Sequence, residues 1–428
     1  MADQKRCLVV GSGGREHAIA LALSRSRAFE TVFVAPGNAG TAREPGMKNL
    51  PITDIDALAD FAAQEQLAFT VVGPEAPLAD GLVDRFRARS LAVFGPTQAA
   101  ARLEASKDFA KAFMQRHGIP TAAYQTFTDP AEAKAYIRQQ GAPIVVKADG
   151  LAAGKGVIVA QTEGEALAAV DQFLGSHGSE GSRVVIEAFL TGEEASFIVM
   201  ADGEHVLVLA TSQDHKRLKD GDEGPNTGGM GAYSPAPVIT PDIHQRALNE
   251  IILPVIRGMA AEGTPFTGFL YAGLMIGEDG SLNTLEFNCR LGDPETQAIL
   301  SRLKTPLGEL IEAGIAGRLD QVKAEWDARP ALCVVLAAQG YPATPTKGDA
   351  ISGCPTGGNR EADDLFIYHA GTAEKDGQIV TSGGRVLGVT ALGSTLQAAH
   401  ARAYEGVRSI RFDGMQYRTD IGHRALKG

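Results

Sequence analysis

The first hundred residues constrain the fold most. Short β-rich runs at residues 7–10, 31–35, 69–72 and 91–94 alternate with helical patterns at 16–24, 56–64 and 80–88. Three of these runs meet the turn dipeptides Pro36-Gly37, Gly73-Pro74 and Gly95-Pro96, which stop a strand and release the chain into a connection. Strand–helix–strand alternation predicts a doubly wound parallel sheet. Its ligand edge lies at the C-terminal ends of the strands, where these turns sit.

The pattern then changes. A helix at 106–117 takes Ser106 as its N-cap, and Gly118-Ile119-Pro120 breaks the chain. Strands at 144–148, 157–160, 184–187 and 197–200, with helices near 131–139 and 165–174, predict a small α+β unit of antiparallel hairpins. Residues 206–210 open a larger unit with a helix near 243–261 and strands at 271–276 and 284–288. After Trp326 come strands at 333–338, 365–369, 378–381 and 385–391, then a helix at 396–409. Between 211 and 237 the chain is polar and nearly devoid of strand or helix pattern, and loops of that length usually carry function or are disordered. At ~150 residues per domain, 428 residues make about three domains. The fold class is a multidomain α/β and α+β chain, divided at 1–104, 105–325 and 326–428, the last a mixed β domain.

Composition excludes several classes of function. Lys and Arg total 40 against 51 Asp and Glu, a net charge of −11, so no nucleic-acid partner is expected. The longest strongly apolar stretch, 331–338, is far short of a bilayer span, so no membrane partner is expected either. Cys7, Cys289, Cys333 and Cys354 form no Cys-x-x-Cys pair; neither a disulfide framework nor a zinc site is expected, and a reducing cytoplasmic location fits. Glycine is in excess, 50 of 428 residues against about 7% in ordinary chains. That suits tight turns and close backbone approach to a ligand.

Six segments carry candidate chemistry. Gly11-Ser12-Gly13-Gly14-Arg15 follows a strand and opens a helix, where backbone N–H groups and the helix dipole suit a phosphate. Glu16 breaks the dinucleotide fingerprint Gly-x-Gly-x-x-Gly, and no acid follows the second strand, so a nicotinamide site is not expected. A plain tight turn is the competing reading. Glu75 stands at a neighbouring strand end, either as an acceptor for sugar hydroxyls or as a solvated loop acid. The run 147–157, from Lys147 through Gly150, Gly154, Lys155 and Gly156 to Val157, tempts a Walker A reading. It fails because the glycine spacing is one residue short, Gly156 replaces Ser/Thr, and a strand follows. It reads as a glycine-rich hairpin that lays backbone and two lysines against phosphates, or as a surface hairpin.

Glu187-Ala188-Phe189-Leu190 ends a strand with an apolar pair suited to a purine ring, and an acid further on suits ribose hydroxyls; an edge strand with an acidic turn is the alternative. In Leu285-Glu286-Phe287-Asn288-Cys289-Arg290, strand alternation puts Glu286 and Asn288 on one face and Phe287 on the other. Two oxygen ligands at that spacing suit Mg²⁺ with phosphate oxygens, against a purely solvated face. Within the polar stretch, residues 226–231 offer a backbone nest for an anion.

Together these motifs resemble the ATP-grasp enzymes of purine biosynthesis. The segments 11–17, 72–78, 147–157, 213–216, 225–235 and 286–295, with 368–372 and 383–387, are most similar to the glycinamide ribonucleotide synthetase family, and the likeness spans essentially the whole chain. It implies an ATP-grasp fold with a hairpin-rich lid subdomain at about 121–192. It implies that ATP, glycine and 5-phosphoribosylamine give glycinamide ribonucleotide, ADP and phosphate with Mg²⁺ or Mn²⁺, and that the enzyme supplying the amine is a transient partner.

By the same resemblance, Lys107 and Lys147 meet the ATP phosphates, with Gly154, Lys155 and Gly156 in the closing loop. Glu187, Phe189 and Leu190 hold the adenine, Glu194 the ribose, and Asp214 belongs with these nucleotide contacts. Glu286 and Asn288 hold the metal, Asn288 also facing the nucleotide. Arg290 faces the transferred phosphoryl group and Asp293 the attacking amine. Gly13, Gly14, Arg15, Glu75 and Arg385 receive 5-phosphoribosylamine. Many ATP-grasp proteins carry a further metal-binding acid on the preceding strand, and residues 271–276 have none. The alternatives are another carboxylate-activating ATP-grasp enzyme, of transformylase or carboxylase type, and a nucleotide-binding protein without turnover.

Overall fold

The computed structural model describes residues 5–26, 28–151, 156–175, 182–354 and 364–426. The N-terminal strands form one parallel sheet in the order Met47–Asn49, Phe29–Pro36, Lys5–Gly11, Phe69–Val72, Val93–Phe94. Its middle strands are apolar runs because helices cover both faces, and Leu8 and Val9 are fully buried on opposite sides. The helical pattern expected over 80–88 is two helices, Glu75–Ala79 and Leu82–Ala88. Gly81, at φ +83°, turns the chain between them.

The second unit is a four-stranded antiparallel sheet, ordered Tyr124–Phe127, Val184–Ala188, Ile144–Ala148, Val157–Ala160. Helices Pro130–Gln140 and Glu163–Leu174 bury Ile137, Ala169 and Val170 against it. The strand expected at 197–200 does not belong here. It is the middle of the ten-residue strand Glu193–Asp202, in a separate antiparallel sheet ordered Val206–Val208, Glu193–Asp202, Thr267–Ile276, Leu282–Asn288. The helix expected near 243–261 starts at Pro241 and contains a π-helical stretch, Ala247–Ile252.

The polar stretch 211–237 is not devoid of strands, contrary to expectation. Gln213–Asp214 and Gly231–Ser234 pair with each other, and the latter pairs with Ala331–Ala337, about a hundred residues downstream. They complete a five-stranded sheet with Arg385–Leu392 and Leu365–His369, whose face is covered by the helix Leu396–Ser409. Two further short strands, Arg217–Lys219 and Glu223–Asn226, form a hairpin in the same stretch. The C-terminal unit thus grips a piece of the middle segment. Cys7, Cys289, Cys333 and Cys354 are free thiols. Among the described residues, no helix is long and apolar enough to cross a membrane.

Candidate active site

A cavity of about 1060 Å³ opens where the units meet. Arg15 and Glu75 reach it from the C-terminal edge of the parallel sheet, Lys147 from the second unit, Lys107 from the helix Lys107–Arg116 packed on the central sheet, Glu286 from that central sheet, and Arg385 from the C-terminal sheet. The motifs therefore converge, although 370 residues separate Arg15 from Arg385.

One wall is built from lysines and a single glutamate. Lys147 Nζ lies 2.9 Å from Glu187 Oε1 and donates to the Leu285 carbonyl at 3.1 Å. Lys111 Nζ lies 3.4 Å from Glu187 Oε2 and donates to Thr121 Oγ1 and the Ala122 carbonyl at 2.8 and 2.9 Å. Burial pulls the Lys111 ammonium down to about 8, with Glu187 opposing. Glu187 is thus occupied by two cations, while the neighbouring Phe189 and Leu190 are half-buried and line the cavity. Lys107 Nζ donates to the Gly150 carbonyl at 2.8 Å, and Asp149 accepts the Lys107 backbone N–H at 2.7 Å. These bonds tie the start of the helix Lys107–Arg116 to the hairpin. Gly156 lines the cavity; Gly154 and Lys155 lie outside the described residues. Glu194 pairs with Lys216 at 2.7 Å.

The strand Leu282–Asn288 turns Phe287 into the core and Glu286 to the cavity, as its alternation predicts. Among the described residues Glu286 has no hydrogen bond and no ion pair. Burial pushes its carboxyl up, but Lys216, Lys147, Lys107 and Arg290 outweigh this and hold it below the usual range. Asn288 Oδ1 accepts from Arg290 Nη2 at 3.2 Å. Arg290 is itself held by Glu104, at 2.9 Å, and by Glu75, at 3.5 Å. Glu104 also accepts the Cys289 N–H at 2.7 Å. A buried guanidinium between two carboxylates keeps its charge and its direction.

Asp293 accepts from Gln297 Nε2 at 2.8 Å and lies 3.4 Å from Arg385. Burial raises its carboxyl, and Arg385 with Arg15 lowers it by more. Arg385 also donates to the backbone carbonyls of Gly228 and Asp293, at 2.7 and 2.6 Å, so the C-terminal unit is locked to this corner. The nest expected at 226–231 is not open. The Gly228 N–H donates to Tyr341 Oη at 2.9 Å and the Gly229 N–H to Thr227 Oγ1 at 3.0 Å. Gly229 is required there: φ is +117°, and a Cβ would sit 2.5 Å from Pro294 Cδ.

At the glycine turn, Glu16 supplies what the fingerprint lacked. Its Oε2 accepts the Gly13 N–H at 2.6 Å, and its Oε1 accepts from Arg15 Nε at 2.5 Å. The Glu16 carboxylate, closing back on the N-cap backbone N–H, pins the start of the helix Gly14–Ser24. Arg15 is only 6% exposed and also donates to the Leu291 carbonyl at 3.2 Å. Gly14 has no room for a side chain, because a Cβ would lie 2.7 Å from Gln297 Nε2. Glu75 begins a helix rather than lying in a loop.

Sequence reasoning missed Lys111, Glu104, Glu295 and Tyr271, all of which line the cavity. One signal was present for the first: Lys111 stands four residues after Lys107, so both occupy one helix face.

A mixed assembly of this kind, with a hairpin sheet and an antiparallel sheet closing on lysines and a Glu-x-Asn strand, is the ATP-grasp architecture. Biotin carboxylase from Campylobacter jejuni superposes with a TM-score of 0.72 at 14% identity, covering 99% of this chain and 95% of that one; at that identity the likeness shows the fold alone. The family models for phosphoribosylglycinamide synthetase match in order: N domain at residues 5–104, ATP-grasp (A) domain at 105–296 and C domain at 331–424. The chain belongs to the phosphoribosylglycinamide synthetase family. A relative named phosphoribosylamine–glycine ligase, from Ralstonia nicotianae, is 62% identical over 424 residues, covering 99% of this chain and all of the relative. The crystal structure of phosphoribosylamine–glycine ligase from Thermotoga maritima superposes with a TM-score of 0.83 at 37% identity, covering 97% of this chain and all of that one.

Proposed function

We propose that the chain is an ATP-dependent ligase that joins glycine to 5-phosphoribosylamine, giving glycinamide ribonucleotide, ADP and phosphate. The observation that carries this reading is one cavity in which Lys107 and Lys147, a Glu286 without a partner among the described residues, and the Arg15, Glu75 and Arg385 group face one another.

A carboxylate is a poor acyl donor, because its leaving group would be oxide. In this reading a glycine carboxylate oxygen attacks the γ-phosphorus of ATP, the bond to the bridging oxygen breaks, and ADP leaves. The amine of 5-phosphoribosylamine then attacks the carbonyl of glycyl phosphate. Phosphate departs with the oxygen that came from glycine, and the amine loses a proton. Both steps move negative charge between close oxygens, so positioning and electrostatic complementarity supply most of the catalysis.

Lys107 and Lys147 neutralise the ATP phosphates, with Gly156 and, in the segment outside the described residues, Gly154 and Lys155 on the hairpin side. Phe189 and Leu190 flank the adenine. Glu187 acts through the lysines it orients, and Glu194 faces the ribose. Arg290, fixed by Glu104 and Glu75, meets the transferred phosphoryl group. Asp293 stands by the attacking amine. Gly13, Gly14, Arg15, Glu75 and Arg385 receive the sugar phosphate.

A divalent metal ion fits the oxygen pair of Glu286 and Asn288: the first carboxylate is unpartnered, and both are hard donors on one strand face. Bound there, Mg²⁺ or Mn²⁺ would offset phosphate charge. Three domains at 1–104, 105–325 and 326–428, with a lid at about 121–192, are the frame of this reading. Free thiols and metabolite substrates suit the cytoplasm, and a transient contact with the enzyme that supplies the amine belongs to the same reading.

The test is isotopic. With glycine labelled in its carboxylate oxygens with ¹⁸O, the released phosphate carries one ¹⁸O atom per turnover. Unlabelled phosphate would rule out glycyl phosphate.

A further inference from the structure

One residue of the C-terminal unit has both of its backbone polar groups held by side chains of the N-terminal unit. His369 ends the strand Leu365–His369. Its N–H donates to His17 Nδ1 at 2.9 Å, and its carbonyl accepts from Asn38 Nδ2 at 2.8 Å. Asn38 Nδ2 also donates to the Ser12 carbonyl at 2.9 Å, inside the glycine turn. His17, Asn38 and His369 are all buried, and none of them lines the cavity.

The two anchoring side chains are themselves fixed. Asn38 Oδ1 accepts the N–H groups of Gly40 and Thr41, at 2.9 and 3.0 Å, which sets the direction of the amide. Because His17 Nδ1 accepts, Nε2 carries the proton of the neutral ring, and it faces Glu44 Oε1 at 3.3 Å. The His369 ring lies on Gly40, where a Cβ would come within 2.4 Å of its Cγ.

Both ends of this contact lead to the cavity. On one side, Ser12 precedes Gly13, Gly14 and Arg15, and the His17 N–H donates to the Gly13 carbonyl at 3.0 Å. On the other, the Gly371 N–H donates to the Arg385 carbonyl at 2.9 Å. The position of His369 therefore sets how far Arg15 stands from Arg385. We propose that Asn38, together with His17, is a positioning residue for 5-phosphoribosylamine: it holds the glycine turn and the strand Arg385–Leu392 at the separation that the sugar phosphate bridges. The proposal rests on the reading that Arg15 and Arg385 receive that phosphate. A phosphate gripped from two units gains most when the grip is set beforehand, because binding then bears no cost of ordering it.

The test is Asn38→Asp, which keeps the shape and the Oδ1 acceptor but puts an oxygen in place of the donor to the Ser12 and His369 carbonyls. Steady-state kinetics are measured with each substrate varied in turn, and with ribose 5-phosphate, which has the phosphate and lacks the amine, as a competitive inhibitor. The KM for 5-phosphoribosylamine and the ribose 5-phosphate inhibition constant rise together, roughly tenfold, while the KM values for ATP and glycine stay within about twofold. His17→Leu removes the other anchor and gives the same pattern. His17→Asn, whose Oδ1 stands where Nδ1 does, recovers the parent values; this pair reports should Asn38→Asp fail to fold. Asn38→Asp and Arg385→Met combine to less than the product of their separate effects, since one acts through the other. An unchanged KM for 5-phosphoribosylamine, an equal rise in all three KM values, a lower denaturant midpoint with kinetics intact, or fully multiplicative effects of the two changes would each overturn the proposal. Failure of the sugar-phosphate reading looks different, because Arg385→Met alone would then leave the KM for 5-phosphoribosylamine at the parent value.

Discussion

Two corners of the cavity handle buried negative charge in opposite ways. At Glu187 the carboxylate is shared between Lys147 and Lys111, at 2.9 and 3.4 Å, and both lysines hold further backbone or hydroxyl acceptors. At Glu286 and Asp214 the carboxylates face the cavity with no partner among the described residues. The first corner is complete without ligand, and its task is to aim lysines. The second corner is incomplete, and a cation bound there would complete it. Acids of the first kind should matter to folding, and acids of the second kind to turnover.

The largest effect that could break this contrast is at the strand Leu282–Asn288. Glu286→Gln keeps the shape and removes the charge, so turnover should fall by roughly 100- to 1000-fold, the scale of losing one preorganised electrostatic element. Circular dichroism and the denaturant midpoint should match the parent. Near-parental activity at millimolar Mg²⁺ would show that Glu286 is not a metal ligand.

The complementary change is Lys111→Met in the complete corner. It leaves buried Glu187 with one cation instead of two, and breaking a buried pair costs about 3 kcal/mol. Urea unfolding should show that loss. The double variant Lys111→Met/Glu187→Gln should be more stable than Lys111→Met, because the uncompensated charge is gone. Equal stability of the two would remove the claim that this corner is held by charge pairing.

A third test uses pH on the buried imidazole of His215. Burial pulls His215 down to about 4, with Asp222 opposing and Arg418 and Arg424 adding to the fall. Its Nε2 accepts the Gly422 N–H at 2.9 Å, so the neutral ring ties the strand Gln213–Asp214 region to the C-terminal segment. Below about pH 6.5 the unfolded chain binds a proton here that the folded chain refuses until about pH 4. Stability present at neutral pH is therefore lost as pH falls through that window, by about 3 kcal/mol. His215→Gln should flatten that part of the stability–pH curve relative to the parent; an identical slope would show that His215 does not supply it.

These tests touch features that the sequence shows very unevenly. Four of the five strands of the parallel sheet were legible because each is an apolar run closed by Gly or Pro, a local signal that needs no partner; the three-residue strand Met47–Asn49 carries no such run and was missed. The Glu286–Asn288 face was legible for the same reason, since strand alternation is local. The strands Gln213–Asp214 and Gly231–Ser234 were not. Their pairing with Ala331–Ala337 is decided about a hundred residues away, and a polar, glycine-rich stretch carries no local trace of it. Lys111 and Glu104 were hidden differently. On an amphipathic helix a charged residue reads as solvated, and only the fold reveals that Lys111, 2% exposed, is enclosed by Glu187 and Thr121. The role of Glu16 needed the structure as well, because a carboxylate closing its own glycine turn is invisible in a motif that specifies glycines.

The smallest expected effect separates the two acids that hold Arg290. Glu75 is 3.5 Å away and about a third exposed, whereas Glu104 is 2.9 Å away and nearly enclosed. Glu75→Gln should change stability by less than about 1 kcal/mol and raise the KM for 5-phosphoribosylamine a few-fold, leaving that for ATP alone. Glu104→Gln should cost more in stability and lower kcat. Equal behaviour of the two variants would mean that Glu75 only orients Arg290 and does not meet the sugar.

The central claim is that one cavity couples ATP cleavage to joining glycine with 5-phosphoribosylamine. Measuring ADP, phosphate and glycinamide ribonucleotide with each substrate omitted in turn tests it most directly. The account predicts the three products in equal amounts with the full mixture, and only background ADP when either glycine or 5-phosphoribosylamine is left out. ADP release that is indifferent to glycine, or that responds instead to bicarbonate or formate, would contradict it.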